Sequence, residues 1–133
     1  MEKFSLKNLS KISKKLKENG MKIGLCHGVF DIIHAGHISH FEEVKKKCDF
    51  LFVTVTEDKF VHKGPNRPVN SHYFRAKILE SLKLVDAVGI NYTSDAVESI
   101  KHIKPNYYFK GKDYQNKKDF TARLQKETKA IKK

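Results

Sequence analysis

This 133-residue chain has no apolar run long enough to cross a bilayer, and its polar, lysine-rich amino terminus shows no signal-peptide pattern. A membrane partner is therefore not expected. Cysteine is scarce: Cys26 and Cys48 make neither a CxxC pair nor a disulfide framework, so reduced thiols in a cytoplasmic protein are expected. Arginine is scarcer than the net charge of +12 suggests, occurring only at Arg67, Arg75 and Arg123. That shortage, in the residue best suited to bidentate phosphate and base contacts, argues against a nucleic-acid partner. The distribution of charge agrees, because residues 1–22 and 117–133 each carry a net +5 and the chain between them only +2. The lysines decorate the ends, as solvated helix faces do, and the body is nearly balanced.

What is present is a globular composition with 39% hydrophobic residues, enough for a single domain over 1–133 with a real core. Leu6, Leu9, Ile12 and Leu16 mark an amphipathic helix stopped by Asn19-Gly20. Short apolar, branched or aromatic runs predict strands at 22–26, 50–56, 87–92 and 106–110. Between them fall a helix after His34, one over about 71–83, and one near 95–102 whose Asp95-x-x-Glu98 has the form of a capping box. Strands alternating with helices predict an α/β fold, a Rossmann-like three-layer sandwich with a parallel sheet. Ligands of such sheets bind beyond the carboxyl ends of the strands.

The chemistry concentrates in His27-Gly28-Val29-Phe30-Asp31-Ile32-Ile33-His34-Ala35-Gly36-His37, where a strand hands over to a helix. A helix amino terminus offers unpaired N–H groups and the positive end of its dipole, and so attracts a phosphate. Gly36 leaves room for close approach. His34 and His37, three residues apart, can reach one ligand and donate to phosphate oxygens as charge builds in a transition state. Asp31 can position a second substrate or repel a misplaced phosphate. With His27 and His40 in the same window the histidines also suit a metal by spacing, but neither cysteine nor paired carboxylates complete a tetrahedral set, so no metal site is expected. His40 reads as a packing or surface residue, and His27 as a strand end beside the pocket. The loop around Lys63, Gly64, Pro65, Asn66 and Arg67 can fold over a triphosphate. Gly111 with Asp113 lets backbone and a carboxylate approach a base or ribose.

The pattern Gly28-x-Phe30-Asp31-x-x-His34-x-Gly36-His37 resembles the signature of the cytidylyltransferase-like nucleotidyltransferases. Lys63-Gly64-x-x-Arg67-Pro68-Val69-Asn70, Arg75, Val85-Asp86, Lys104-Pro105 and Lys110-Gly111-x-Asp113-Tyr114 follow in that family's order. Over about 22–116 the chain is most similar to the adenylyltransferase domain of heptose-phosphate enzymes, with glycerol-3-phosphate cytidylyltransferases a step further away. The resemblance implies transfer of a nucleotide monophosphate from ATP or CTP to a phosphorylated small-molecule acceptor such as a sugar phosphate, with pyrophosphate released. The alternative is a catalytically silent nucleotide-binding or interaction domain. It further implies His34, His37, Lys63 and Arg75 at the phosphates, and Gly28, Val29, Phe30, Gly36, Arg67, Gly111, Asp113 and Tyr114 around the nucleotide. Asp31 would lie at the acceptor and Mg²⁺ would accompany the triphosphate. Lys112 stands where the heptose-type enzymes carry glycine. The chain stops at Ala130-Ile131-Lys132-Lys133, before the Ser-Thr-Thr-like turn the family places after a fifth strand, so a domain truncated at its carboxyl end is expected. Phe120, Leu124 and Ile131 form an apolar stripe that calls for a partner surface, in a homo-oligomer or a further domain of a longer chain.

Overall fold

A computed structural model describes residues 3–61 and 68–110. Lys63, Arg67, Gly111, Asp113, Tyr114 and the 117–133 stripe lie outside the described residues. Four parallel strands, β1 (Ile23–Gly28), β2 (Phe50–Thr56), β3 (Ala87–Asn91) and β4 (Tyr107–Lys110), pair in the order β3-β2-β1-β4. Helices α1 (Leu6–Glu18), α2 (Ala35–Lys45), α3 (His72–Glu80) and α4 (Val97–Ile103) cover the sheet, and a single 3₁₀ turn spans Asp58–Phe60. The α/β sandwich expected from the alternation of apolar runs is the fold observed.

Side-chain alternation along the strands sorts the core into two layers. Cys26, Leu51, Val53, Val55, Val88 and Ile90 pack with Phe41 and Val44 of α2 and Ala76 and Leu79 of α3. Ile23, Leu25 and Phe52 face the other way, onto Leu9 of α1 and Ile100 and Ile103 of α4. Gly89 lets α1 sit directly on the sheet, since a Cβ there would lie 2.5 Å from Leu9 Cδ1. The helices after β1 and β2 share one face and the helix after β3 takes the other, so the chain reverses its direction of travel between β1 and β4. A crevice for ligand forms beyond the carboxyl ends of strands at such a reversal.

Several boundaries differ from the sequence reading. β1 runs on through His27 and Gly28, because both pair in register with Thr54 and Val55 although neither carries an apolar side chain. α3 stops at Glu80 rather than near 83: the Ser81 hydroxyl donates to the Ile78 carbonyl (2.6 Å) and closes the last turn. Ile12 is 44% exposed, while Ser13 is buried and donates its hydroxyl to the Ile103 carbonyl (2.6 Å). The α1 stripe is therefore turned toward α4 by one residue. Asp95-x-x-Glu98 makes no capping box. Asn91 holds the Asp95 carbonyl (2.7 Å), so the chain bends there and the Asp95 carboxylate accepts from Val97 N–H instead (3.0 Å), with Ala96 at the cap position.

Candidate active site

The turn from β1 into α2 is held by its own histidines. His34 is the N-cap, in extended conformation, and its Nδ1 accepts the Gly36 N–H at 3.0 Å. Three residues on, His37 Nδ1 accepts the His34 N–H at 3.2 Å. This is a reciprocal capping box with imidazoles in place of the usual hydroxyl and carboxylate. Because each Nδ1 spends its lone pair on a backbone donor, each neutral ring carries its proton on Nε2. The ring centroids are 4.0 Å apart and the planes are inclined by 38°. The helix itself thus sets the tautomer of both rings. Gly36 serves this arrangement directly, since a Cβ there would stand 2.8 Å from His34 Cε1. Phe30 adopts a left-handed backbone (φ 49°), and its ring packs edge-on against His37 (5.5 Å) and near Phe41 (5.7 Å). Non-glycine residues hold that conformation only where packing compensates the strain.

Arg75 lies in α3. It is fully buried, and its guanidinium donates to the Asn70 carbonyl (Nε, 3.0 Å), the Val29 carbonyl (Nη1, 2.7 Å) and Asp58 Oδ1 (Nη2, 2.7 Å). This cation ties the loop after β1 to the end of β2. Asp31 performs the neighbouring tie. Its two carboxylate oxygens accept the N–H groups of Val69 (2.8 Å) and Asn70 (2.9 Å), and its carbonyl accepts from Asn70 Nδ2 (2.9 Å). Together Arg75 and Asp31 latch Val29–Asp31 onto Val69–Asn70, and so fix the approach to His34.

His27 lies at the carboxyl end of β1, its Nδ1 2.9 Å from Thr54 Oγ1 and its Nε2 3.4 Å from Thr56 Oγ1. Thr56 also donates to the Gly28 carbonyl (3.4 Å). These contacts hold the ring against β2. His40 Nε2 lies 3.9 Å from Cys26 Sγ, a packing position. Burial pushes the Cys26 thiol up to about 12 and raises Cys48 as well, so neither is a nucleophile at neutral pH. Asp86, immediately before β3, accepts the Leu51 N–H (2.8 Å) and pairs with Lys45, a structural role at the opposite end of the strands. Among the described residues no group of three His, Cys, Asp or Glu side chains is placed to hold a metal ion, and no helix is long and apolar enough to cross a membrane.

Three further residues belong to this edge of the sheet and were not singled out in the sequence: Asp58, His72 and Tyr92. Glu57-Asp58 immediately after an apolar strand was the available signal, since acidic residues beyond a strand's carboxyl end lie at the ligand-binding edge.

Comparison with known proteins agrees with the fold. A family model described as Cytidylyltransferase-like matches residues 25–132. The bifunctional protein HldE of a Nitratiruptor species is 38% identical over 122 residues, covering 90% of this chain and 26% of that protein. The HldE protein of Campylobacter jejuni (strain RM1221) is 40% identical over 114 residues, 84% of this chain and 25% of that protein. The chain thus spans about a quarter of the length of the curated relatives it matches. Among solved structures, a lipopolysaccharide core biosynthesis protein from Thermoplasma volcanium GSS1 superposes with a TM-score of 0.68 at 29% identity, covering 80% of this chain and 88% of that one.

Proposed function

We propose, from the premise that this chain belongs to the cytidylyltransferase-like family, that it transfers a nucleotide monophosphate from ATP or CTP to a phosphorylated small-molecule acceptor, a sugar phosphate in the first instance. The observation that carries this reading is the imidazole pair of α2: two rings 4.0 Å apart, each with Nδ1 bound to the helix's first turn and its proton therefore on Nε2. An acceptor phosphate oxygen attacks the α-phosphorus, the bond to the bridging oxygen breaks, and pyrophosphate leaves without a covalent enzyme intermediate. Such a displacement needs positioning and charge stabilisation more than covalent help.

His34 and His37 donate to phosphate oxygens as negative charge accumulates on them, from positions set before substrate arrives. Gly28 and Gly36 keep the backbone low at the turn, and Val29 and Phe30 shape its wall. Arg75 and Asp31 act through the loops they hold. Lys63 and Arg67 supply positive charge to the triphosphate, and Gly111, Asp113 and Tyr114 border the nucleoside. Mg²⁺ enters with the triphosphate as part of the substrate, neutralising its oxygens. The fit to this chain is of that kind, since Asp31 already spends both carboxylate oxygens on backbone N–H groups.

The test is a pyrophosphate-release assay with each nucleoside triphosphate against a panel of sugar phosphates. Release that requires both substrates and is lost in His34→Ala and His37→Ala is the expected result. Nucleotide binding without release under any pairing would instead favour a silent nucleotide-binding domain.

A further inference from the structure

On the β2–β3 side of the same sheet edge lies a second polar corner. His72 opens α3 and turns its ring toward the end of β2, where Nδ1 lies 3.2 Å from the Asp58 amide nitrogen, which donates to it, and 3.3 Å from Asp58 Oδ2. Whether the ring is neutral with Nδ1 accepting from backbone, or protonated with Nδ1 facing the carboxylate, Nε2 carries a proton. Among the described residues that Nε2–H has no hydrogen-bond partner, although the side chain is only 25% exposed. The Tyr92 ring meets the imidazole edge-on at 5.7 Å. Tyr92 also lines a cavity of about 240 Å³ with Leu6, Ile90, Thr93 and Glu98. Asp58 Oδ1 accepts from the Arg75 guanidinium that also holds the Val29 carbonyl, so one buried cation joins this corner to the loop before His34.

We propose that this corner is the acceptor subsite and that His72 and Asp58 recognise hydroxyl groups on the carbon chain of a phosphorylated sugar or polyol. This inference rests on the nucleotidyl-transfer reading above. Charge decides between the acceptor's two ends. Asp58 is balanced by Arg75, and Glu98 adds a carboxylate to the adjoining cavity, so a phosphate placed here would face two carboxylates. A hydroxyl both donates and accepts, which suits an N–H donor beside a carboxylate oxygen that keeps free lone pairs. The small cavity beyond Tyr92 matches a short polyol chain better than a nucleoside. With its hydroxyls in this corner, the acceptor directs its phosphate back along the edge toward His34 and His37.

The full chain is assayed for pyrophosphate release with a heptose 1-phosphate, a hexose 1-phosphate and glycerol 3-phosphate, and the best acceptor is carried forward. His72→Ala raises the KM of that acceptor roughly tenfold, the worth of one hydrogen bond, without moving the KM of the triphosphate, while the melting temperature falls by a few degrees because the Asp58 N–H loses its acceptor. His72→Gln, which keeps an amide N–H near the Nε2 position, recovers most of the loss. An unchanged acceptor KM in a folded His72→Ala protein overturns the subsite, as does an equal rise in both KM values. Ring ¹⁵N shifts of His72 supply an arm that does not depend on turnover. Movement when the sugar phosphates are added alone supports the subsite, and no movement at millimolar concentration overturns it. Absence of release with every acceptor counts separately, against nucleotidyl transfer.

Discussion

Replacing Gly36 with alanine should separate what the imidazole box does for the helix from what it does for the substrate. Gly36 lies in the first turn of α2 in a backbone conformation open to any residue, so alanine itself is well accommodated and gains up to about 1 kcal/mol of helix propensity. Its Cβ, however, would stand 2.8 Å from His34 Cε1 and 3.0 Å from Nδ1. Carbon atoms in contact sit about 3.5–4.0 Å apart, so the ring must retreat by roughly 1 Å. That retreat breaks the bond to the Gly36 N–H, and loss of a side-chain cap costs about 1 kcal/mol. The two contributions nearly cancel, and the melting temperature should stay within a few degrees of the parent. Turnover should not stay. A catalytic donor displaced by about 1 Å loses on the order of 100-fold, or about 2.7 kcal/mol of transition-state stabilisation. Circular-dichroism melts and steady-state pyrophosphate release on the same preparations measure both quantities. A Gly36→Ala protein with parental kcat/KM would refute the argument, and so would an activity loss matched by an equivalent loss of folded protein.

The same logic divides the two ends of the His34 ring. His34→Asn keeps an acceptor at the cap and should preserve the melting temperature while lowering kcat by about 10²- to 10³-fold, whereas His34→Gln should keep more of the rate and less of the stability; rapid-quench kinetics and thermal melts compare them. Arg75→Met should destabilise the fold by about 2–4 kcal/mol in urea titrations, shifted down from the range for a fully buried pair because Asp58 is partly solvated, and Arg75→Lys should not restore it, since one ammonium cannot serve three acceptors in a planar fork. Cys26 gives a pH dependence of definite sign. Its folded pKa of about 12 lies above the ordinary 9.0, so the unfolded chain loses the proton first and stability falls as pH rises through this interval, by up to about 1.4 kcal/mol per pH unit. Urea midpoints at about pH 8 and pH 10 should therefore converge in Cys26→Ala relative to the parent.

The sheet was legible because its strands are short branched and aromatic runs, and their alternation with helices makes them parallel. Legibility ended where tertiary contacts outweigh local pattern. Gly28 looks like the start of a turn, yet β2 offers it a pairing partner and keeps it in the strand. Asp95-x-x-Glu98 has the residues of a capping box without the geometry. His34-x-x-His37 has the geometry without the usual residues, since an imidazole nitrogen accepts a backbone N–H as a hydroxyl or carboxylate does. Arg75 reads as a helix charge facing solvent or ligand. Its burial depends on acceptors from Val29, Asn70 and Asp58, three segments that no local window brings together. His34 and His37 were recognisable from spacing alone because both sit on one turn. The corner of His72, Asp58 and Tyr92 was not, because each member comes from a different element.

The β1–β4 pairing sets an order of events in the folding of this chain. Ile23 donates to Asn106 across 83 residues of sequence, while β1 meets β2 after a single helix. Closing so long a loop costs more entropy than a local contact and ordinarily comes late. On a ribosome, the histidine turn and its partner strand β2 can assemble while β4 is still unsynthesised, leaving the crevice with one wall. Completion of the crevice is therefore nearly the final step of folding.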